Sequence, residues 1–302
     1  MLNVILFIST VLIWGTTWIA IAFQIGTVSV LVSVFYRFAL AAVFMMVGLI
    51  LLRKLRRPEH WRFVILQALC LFCFNFIAFY NATALIPSGL VSVIFSLASV
   101  FNAINARLFF GERITPRILL AGVIGMCGLV LLFWQDLVIS ANIETVYGIL
   151  WATLGTLFFS WGNMASRRNT SDGTSPVCAN AWGMGIGALA LLFIILITNT
   201  PITAPPTLVY WNALIYLAVI GSVIGFTIYL MLVGRIGAVR ASYATVLFPV
   251  IALLISTVYE GYQWHPTAYV GIALTMLGNF VIFSPNISVW QNLKARRSCP
   301  GS

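Results

Sequence analysis

The chain has 302 residues, of which 62% are hydrophobic and 7% charged, with a mean hydropathy of +1.06. A soluble globule needs about 25% charged residues to cover its surface, so that class is excluded, and the composition indicates an all-α polytopic membrane protein. The formal net charge of +10 would suit a nucleic acid or another anionic partner, but the basic residues fall in alternate loops and their placement is topological.

Ten apolar runs fill the chain, at about 3–23, 28–52, 61–85, 87–110, 115–134, 145–166, 175–198, 208–233, 238–259 and 265–284. Each approaches the roughly 20 residues that cross a hydrocarbon core of about 30 Å. The first lacks a basic leader and a cleavage signature, so it is expected to stay as a helix. Arg53, Lys54, Arg56, Arg57 and Arg62 follow the second run, and Arg107, Arg113 and Arg117 surround the turn after the fourth. Arg167 and Arg168 follow the sixth, Arg235 and Arg240 the eighth, and Lys294, Arg296 and Arg297 the tenth. The loops near Gln24, Ile86, Asp136, Thr200 and Gln263 contain no Lys or Arg. By the positive-inside rule this pattern predicts ten transmembrane helices with both termini cytoplasmic; the expected location is the cell inner (plasma) membrane.

In chain order, the first run carries Trp14, followed by Gly15, and Trp18. Arg37 in the second is the ionisable residue set deep in a span, where a guanidinium costs about 3 kcal/mol on insertion scales. It either binds an anionic group in a polar pathway or is capped by backbone carbonyls as a structural clamp. The third run holds Cys70 and Cys73, read as small packing residues, and Asn75, Tyr80 and Thr83. In the fourth, Ser88, Ser92, Phe95, Ser99 and Asn102 share a helix face, a pattern that either lines a cavity or lets helices approach closely. Gly122, Gly125 and Gly128, then Gly183, Gly185 and Gly187, then Gly221 and Gly225 read as close-packing surfaces. Trp161 in the sixth run is placed like Trp14, and these two with Trp18, Tyr80 and Phe95 form either a stacking wall for a planar or hydrophobic solute or bundle core. In the ninth run Ser242, Thr245, Pro249 and Ser256 are similarly spaced, with Tyr243 adjacent, and Pro249 is either a hinge or a static kink. Trp61, Tyr210, Trp211, Trp264 and Trp290 fall at span ends, as interfacial aromatics do.

A shift of 150 positions aligns Ile86 with Ile236, Ser92 with Ser242, Gly111 with Gly261, Pro116 with Pro266, Gly128 with Gly278 and Phe133 with Phe283, without a gap. A duplication follows, with a first five-helix repeat at 1–139, a second at 140–290 and a cytoplasmic tail at 291–302. Because each repeat has an odd number of spans, the second is inverted relative to the first, an arrangement suited to alternating access around a midplane site.

The acidic residues Glu59, Glu112, Asp136, Glu144, Asp172 and Glu260 all lie in loops or at span ends. Without a titratable carboxylate at membrane depth, facilitated diffusion or exchange is favoured over proton antiport, with Glu260 and His265 at the outer end as the residues to which proton coupling would otherwise fall. No H-E-x-x-H, no G-x-S-x-G with a histidine partner and no intramembrane Asp pair is present, so an enzyme is not expected. Neither a metal nor a cofactor is implied.

Trp14-Gly15, Tyr36-Arg37-Phe38 with Ala41, Ala84-Leu85-Ile86-Pro87 and Gly111-Glu112-Arg113-Ile114-Thr115, in this order within a five-plus-five repeat, resemble the EamA-type ten-helix exporters of the drug/metabolite transporter superfamily. The second copy of the turn departs from the pattern, reading Glu260-Gly261-Tyr262 with extra residues before Pro266. The resemblance implies export of small metabolites through a central cavity ringed by the first, third, fourth, sixth, eighth and ninth helices, with the fifth and tenth as supports. Within the family the sequence is most similar to bacterial aromatic amino acid exporters. The implied partners are a small-molecule substrate and the lipid bilayer. The expected substrate-binding residues are Trp14, Trp18, Asn75, Tyr80, Ser92, Phe95, Ser99, Trp161 and Tyr243, with Arg37 as intramembrane charge and Pro249 as hinge. An exporter of hydrophobic or cationic drugs is the alternative within the transporter class. A membrane receptor and an intramembrane enzyme are the alternatives outside it.

Overall fold

Local chemistry sets the helix ends. Pro116, Pro176 and Pro266 open their helices, where a missing N–H is no loss. Ser29, Asn142, Ser175 and Thr207 each accept a backbone N–H from the turn that follows. Gly111, with φ of 71°, ends its helix in the left-handed conformation that a side chain would strain.

The structure, a computed structural model, describes residues 2–26, 28–135, 138, 142–236 and 244–283. Its helices are α1 (Leu2–Ala22), α2 (Val30–Leu51), α3 (Trp61–Thr83), α4 (Ser88–Phe110), α5 (Pro116–Leu132), α6 (Ile143–Ser171) and α7 (Pro176–Ile197). They are followed by α8 (Leu208–Ile215 continuing through Tyr216–Ile224 and Gly225–Ile236), α9 (Ala244–Tyr259) and α10 (Pro266–Phe283). Seven of the described helices are long and apolar enough to cross a membrane, and Pro116–Leu132, Leu247–Tyr259 and Pro266–Val281 are shorter apolar stretches. No strand occurs among the described residues. Leu51, Leu108, Leu208 and Val258 are each more than 70% exposed, an apolar exterior that only lipid would satisfy. The protein is therefore a polytopic membrane protein.

Two features depart from straight spans. α4 breaks at Ser96 and Leu97, where Ser92 and Ser96 hydroxyls donate back to the Gly89 and Val93 carbonyls at 2.6 Å and Asn279 of α10 donates to Ser96 Oγ at 3.0 Å. Such back-bonding competes with the helix ladder and bends it. α3 and α8 each contain a π-helical stretch, at Cys70–Phe74 and Tyr216–Ile224; moving 70–74 by 150 gives 220–224, within the second. Tyr210 also departs from its interfacial expectation: it is fully buried and donates to Ser33 Oγ at 2.7 Å.

Glycines permit the closest helix pairing. A Cβ on Gly128 would lie 2.6 Å from Gly271 O, and one on Gly278 would lie 2.7 Å from Ala121 O. The end of α5 thus meets the beginning of α10 and the reverse, so the two helices run antiparallel. α2 and α7 are likewise antiparallel: Cys178 and Trp182 donate to the Lys54 and Arg56 carbonyls, while Val28 and Val32 pack with Ile195.

Among the described residues, one end of the bundle collects the basic loops. There Arg167 pairs with Glu112 at 2.6 Å, Thr174 accepts from Glu59 N, and Arg235 donates to Asn3. At the opposite end Tyr80 donates to Gln24, and Ser88 meets Glu260.

Candidate functional site

Within the bundle, α1, α2, α3, α4, α6, α8 and α9 enclose a chamber of about 70 Å³, room for several waters. Its wall is a set of interlocking rings. Trp18 stands 5.3 Å from Phe79 and 5.8 Å from Phe95 and stacks at 6.4 Å on Phe248. Trp14 lies 5.6 Å from Phe226, and Phe95 lies 4.6 Å from Phe159. Gly225 lets Trp14 close on α8, since a Cβ there would be 3.0 Å from the indole nitrogen.

The polar part of this wall is small. Arg37 reaches in from α2, 3% exposed, with its guanidinium 4.4 Å above the Phe76 ring and its Nε donating to Ser222 Oγ at 3.3 Å. Ser222 in turn donates to Leu217 O, a bond spanning five residues that the π-helical stretch of α8 makes available. Tyr80 stands beside the guanidinium. Arg37 Nη1 and Asn75 Oδ1 have no hydrogen-bond partner among the described residues, and both residues border the chamber. No carboxylate pairs with Arg37 among those residues.

A larger recess of about 590 Å³ adjoins the chamber and shares Trp14, Leu71, Phe95, Phe159 and Phe226 with it. Ser99, Asn102, Asn163 and Asn180 line it, and it reaches the basic end at Glu112 and Arg167. Toward the other end α4 and α9 close on each other. A Cβ on Gly89 would be 2.6 Å from Leu253 Cα, and the Glu260 carboxylate accepts from Ser88 N at 3.0 and 3.1 Å, from Ser88 Oγ at 2.5 Å and from Ser256 Oγ at 2.6 Å.

Of the residues singled out in sequence, Trp14, Trp18, Arg37, Asn75 and Phe95 border the chamber, and Ser99 borders the recess. Tyr80 sits behind the wall with its hydroxyl on Gln24 Oε1 at 2.7 Å, and Ser92 is occupied inside α4. Trp161 is elsewhere, on a separate groove with Phe63, Phe109 and Arg168. Pro249 lies inside α9, next to chamber-lining Phe248. Tyr243 and Ser242 lie outside the described residues. Phe76, Phe79, Phe226, Phe248 and Ser222 were not anticipated. The 150-residue shift carried a usable signal, since it pairs Phe76 with Phe226 and Leu71 with Gly221, all bordering the chamber.

An apolar-coated helical bundle whose interior chamber connects to a recess at one end has the build of a membrane transporter. The chain belongs to the EamA-like transporter family, which matches residues 1–134 and 146–284. It is 25% identical over 256 residues to the uncharacterized transporter YyaM of Bacillus subtilis (strain 168), covering 80% of this chain and 81% of that one. It is 27% identical over 251 residues to the uncharacterized inner membrane transporter YedA of Escherichia coli (strain K12), covering 82% and 79%. A solved crystal structure, 19% identical, superposes with a TM-score of 0.66 over 93% of this chain and 96% of its own, a likeness of fold.

Proposed function

We propose that this transporter exports small metabolites, amino acids and aromatic ones in particular, from the cytoplasm across the inner (plasma) membrane. The carrying observation is the ring-walled chamber bearing Arg37 and Asn75, joined to the basic end by the recess and closed off at the Ser88–Glu260 end. A flat apolar side chain fits a wall of offset and edge-on rings, and the charged main-chain end of an amino acid needs the polar patch.

The mechanism we infer is alternating access between two inverted five-helix repeats, 1–139 and 140–290, forming ten transmembrane helices with cytoplasmic termini. Support comes from contacts that map onto each other under the 150-residue shift: Gly128 on Gly271 becomes Gly278 on Ala121. Equivalent helices that pack antiparallel in this reciprocal way are what a two-fold axis in the membrane plane requires. With the basic end cytoplasmic, the conformation is inward-facing, and the α4–α9 contact around Glu260 is the outer closure. Pro249, beside Phe248, is the proposed hinge of α9. Among the described residues the carboxylates stay out of the chamber lining, which favours facilitated diffusion or exchange. The drug-exporter alternative shares the aromatic wall, but a cation would face Arg37 with no carboxylate to offset it.

In proteoliposomes, labelled phenylalanine or tryptophan should show saturable flux with or without a pH gradient, lowered at least tenfold by Trp18→Ala. Flux of a cationic dye with none of the amino acids, or an absolute need for the gradient, would overturn the substrate or the coupling.

A further inference from the structure

Arg37 presents an unusual electrostatic problem. Arg37 is 3% exposed in a membrane-embedded bundle, no described carboxylate neutralises it, and Nη1 has no hydrogen-bond partner among the described residues while Nε is engaged by Ser222. A buried charge of this kind is tolerated only where an opposite charge or a full set of hydrogen bonds meets it. The cation–π contact with Phe76 and the Ser222 bond orient the planar group without neutralising it. In the same chamber Asn75, 1% exposed, holds Oδ1 without a donor among the described residues. Asn75 is the chain neighbour of Phe76, so the unfilled acceptor and the ring beneath the guanidinium leave α3 together. Burial leaves such groups costly until a ligand completes them.

We infer that the chamber recognises its substrate by a carboxylate, bound by the Arg37 guanidinium, and by an N–H donor accepted by Asn75 Oδ1, with the apolar body against the rings of Trp18 and Phe95. The inference rests on the exporter reading and adds a selection rule to it: the substrate class is the α-amino carboxylate, and amides and simple amines of the same shape are rejected. A planar guanidinium fork matches a carboxylate with two parallel hydrogen bonds, whereas lysine offers a point charge. A site built for hydrogen bonding discriminates strongly against an analogue that leaves its buried groups unpaired.

The test uses the full chain in lipid nanodiscs and calorimetric binding of four probes: L-phenylalanine, L-phenylalaninamide, 3-phenylpropanoate and phenethylamine. L-phenylalanine should bind at least tenfold tighter than the amide and the amine, and also tighter than 3-phenylpropanoate. Arg37→Gln should erase the preference for acid over amide, Arg37→Lys should retain a reduced one, and Asn75→Leu should erase the preference for phenylalanine over 3-phenylpropanoate. Equal binding of the acid and the amide by the unaltered protein would overturn the inference with no variant needed, as would Arg37→Gln that keeps the acid preference. Carboxylate-selective binding without flux in proteoliposomes would sink the exporter reading and leave this one standing. Flux of phenylalaninamide as fast as phenylalanine would do the opposite.

Discussion

Ser222 illustrates how a single hydroxyl holds the polar patch in place. It accepts from Arg37 Nε and donates to Leu217 O. Ser222→Ala removes the acceptor and leaves a buried N–H unpaired, at a cost of about 1–3 kcal/mol. The expected outcome is a lower unfolding midpoint in mixed micelles together with weaker binding of L-phenylalanine. An unchanged midpoint would mean that Arg37 has another acceptor. Sequence reading reached Trp14, Trp18, Arg37 and Asn75 because a tryptophan, a charge or an amide deep in an apolar run is costly and therefore informative, and it reached Phe95 through the small-polar helix face shared with Ser92 and Ser99. Phe76, Phe79 and Phe248 gave no such signal, since a phenylalanine is equally at home against lipid, in a core or at a chamber wall. Trp161 shows the limit from the other side: the residue type is the same as Trp14, but its face of α6 turns to the groove with Phe63 and Arg168.

Among the elements, the glycine spacing in the fifth run anticipated close packing, and α5 meets α10 through Gly128, Gly271 and Gly278. A side chain at Gly271 would put its Cβ 2.5 Å from Leu132 N and 2.6 Å from Gly128 O, backbone atoms that cannot step aside. Gly271→Leu is therefore expected to lower stability by about 1–3 kcal/mol or more. Because neither α5 nor α10 contributes to the chamber lining, the folded fraction should bind L-phenylalanine with unaltered affinity. Lost affinity at unchanged stability would contradict the role of this pair as a brace. The π-helical stretches in α3 and α8 were invisible to pattern reading, because a shift of one hydrogen-bond register leaves no mark on composition. They nonetheless help to bring Leu71, Gly221 and Ser222 to the chamber region. The break in α4 left more of a trace: Ser92 was read as part of a polar stripe, but its hydroxyl, like that of Ser96, turns to its own helix.

For the whole molecule, composition and the alternation of basic loops were the most legible features. Charge distribution is a constraint on every loop at once, whereas a site depends on a few side-chain orientations. The two ends of the bundle differ: one carries the Glu112–Arg167 pair, and the opposite end is held by the hydrogen bonds to Glu260. We propose that this second end opens and closes in each transport cycle while the chamber changes the side to which it is joined. The measurement that tests it most directly uses a variant with its native cysteines replaced and the pair Ser88→Cys and Glu260→Cys introduced, reconstituted in proteoliposomes and treated with a short, reducible thiol crosslinker. Crosslinking should abolish the saturable phenylalanine flux that the uncrosslinked double variant retains and reduction should restore it, while the crosslinker leaves the flux of each single-cysteine variant where it was before treatment. Flux that continues through a crosslinked Ser88–Glu260 end would contradict alternating access at this closure.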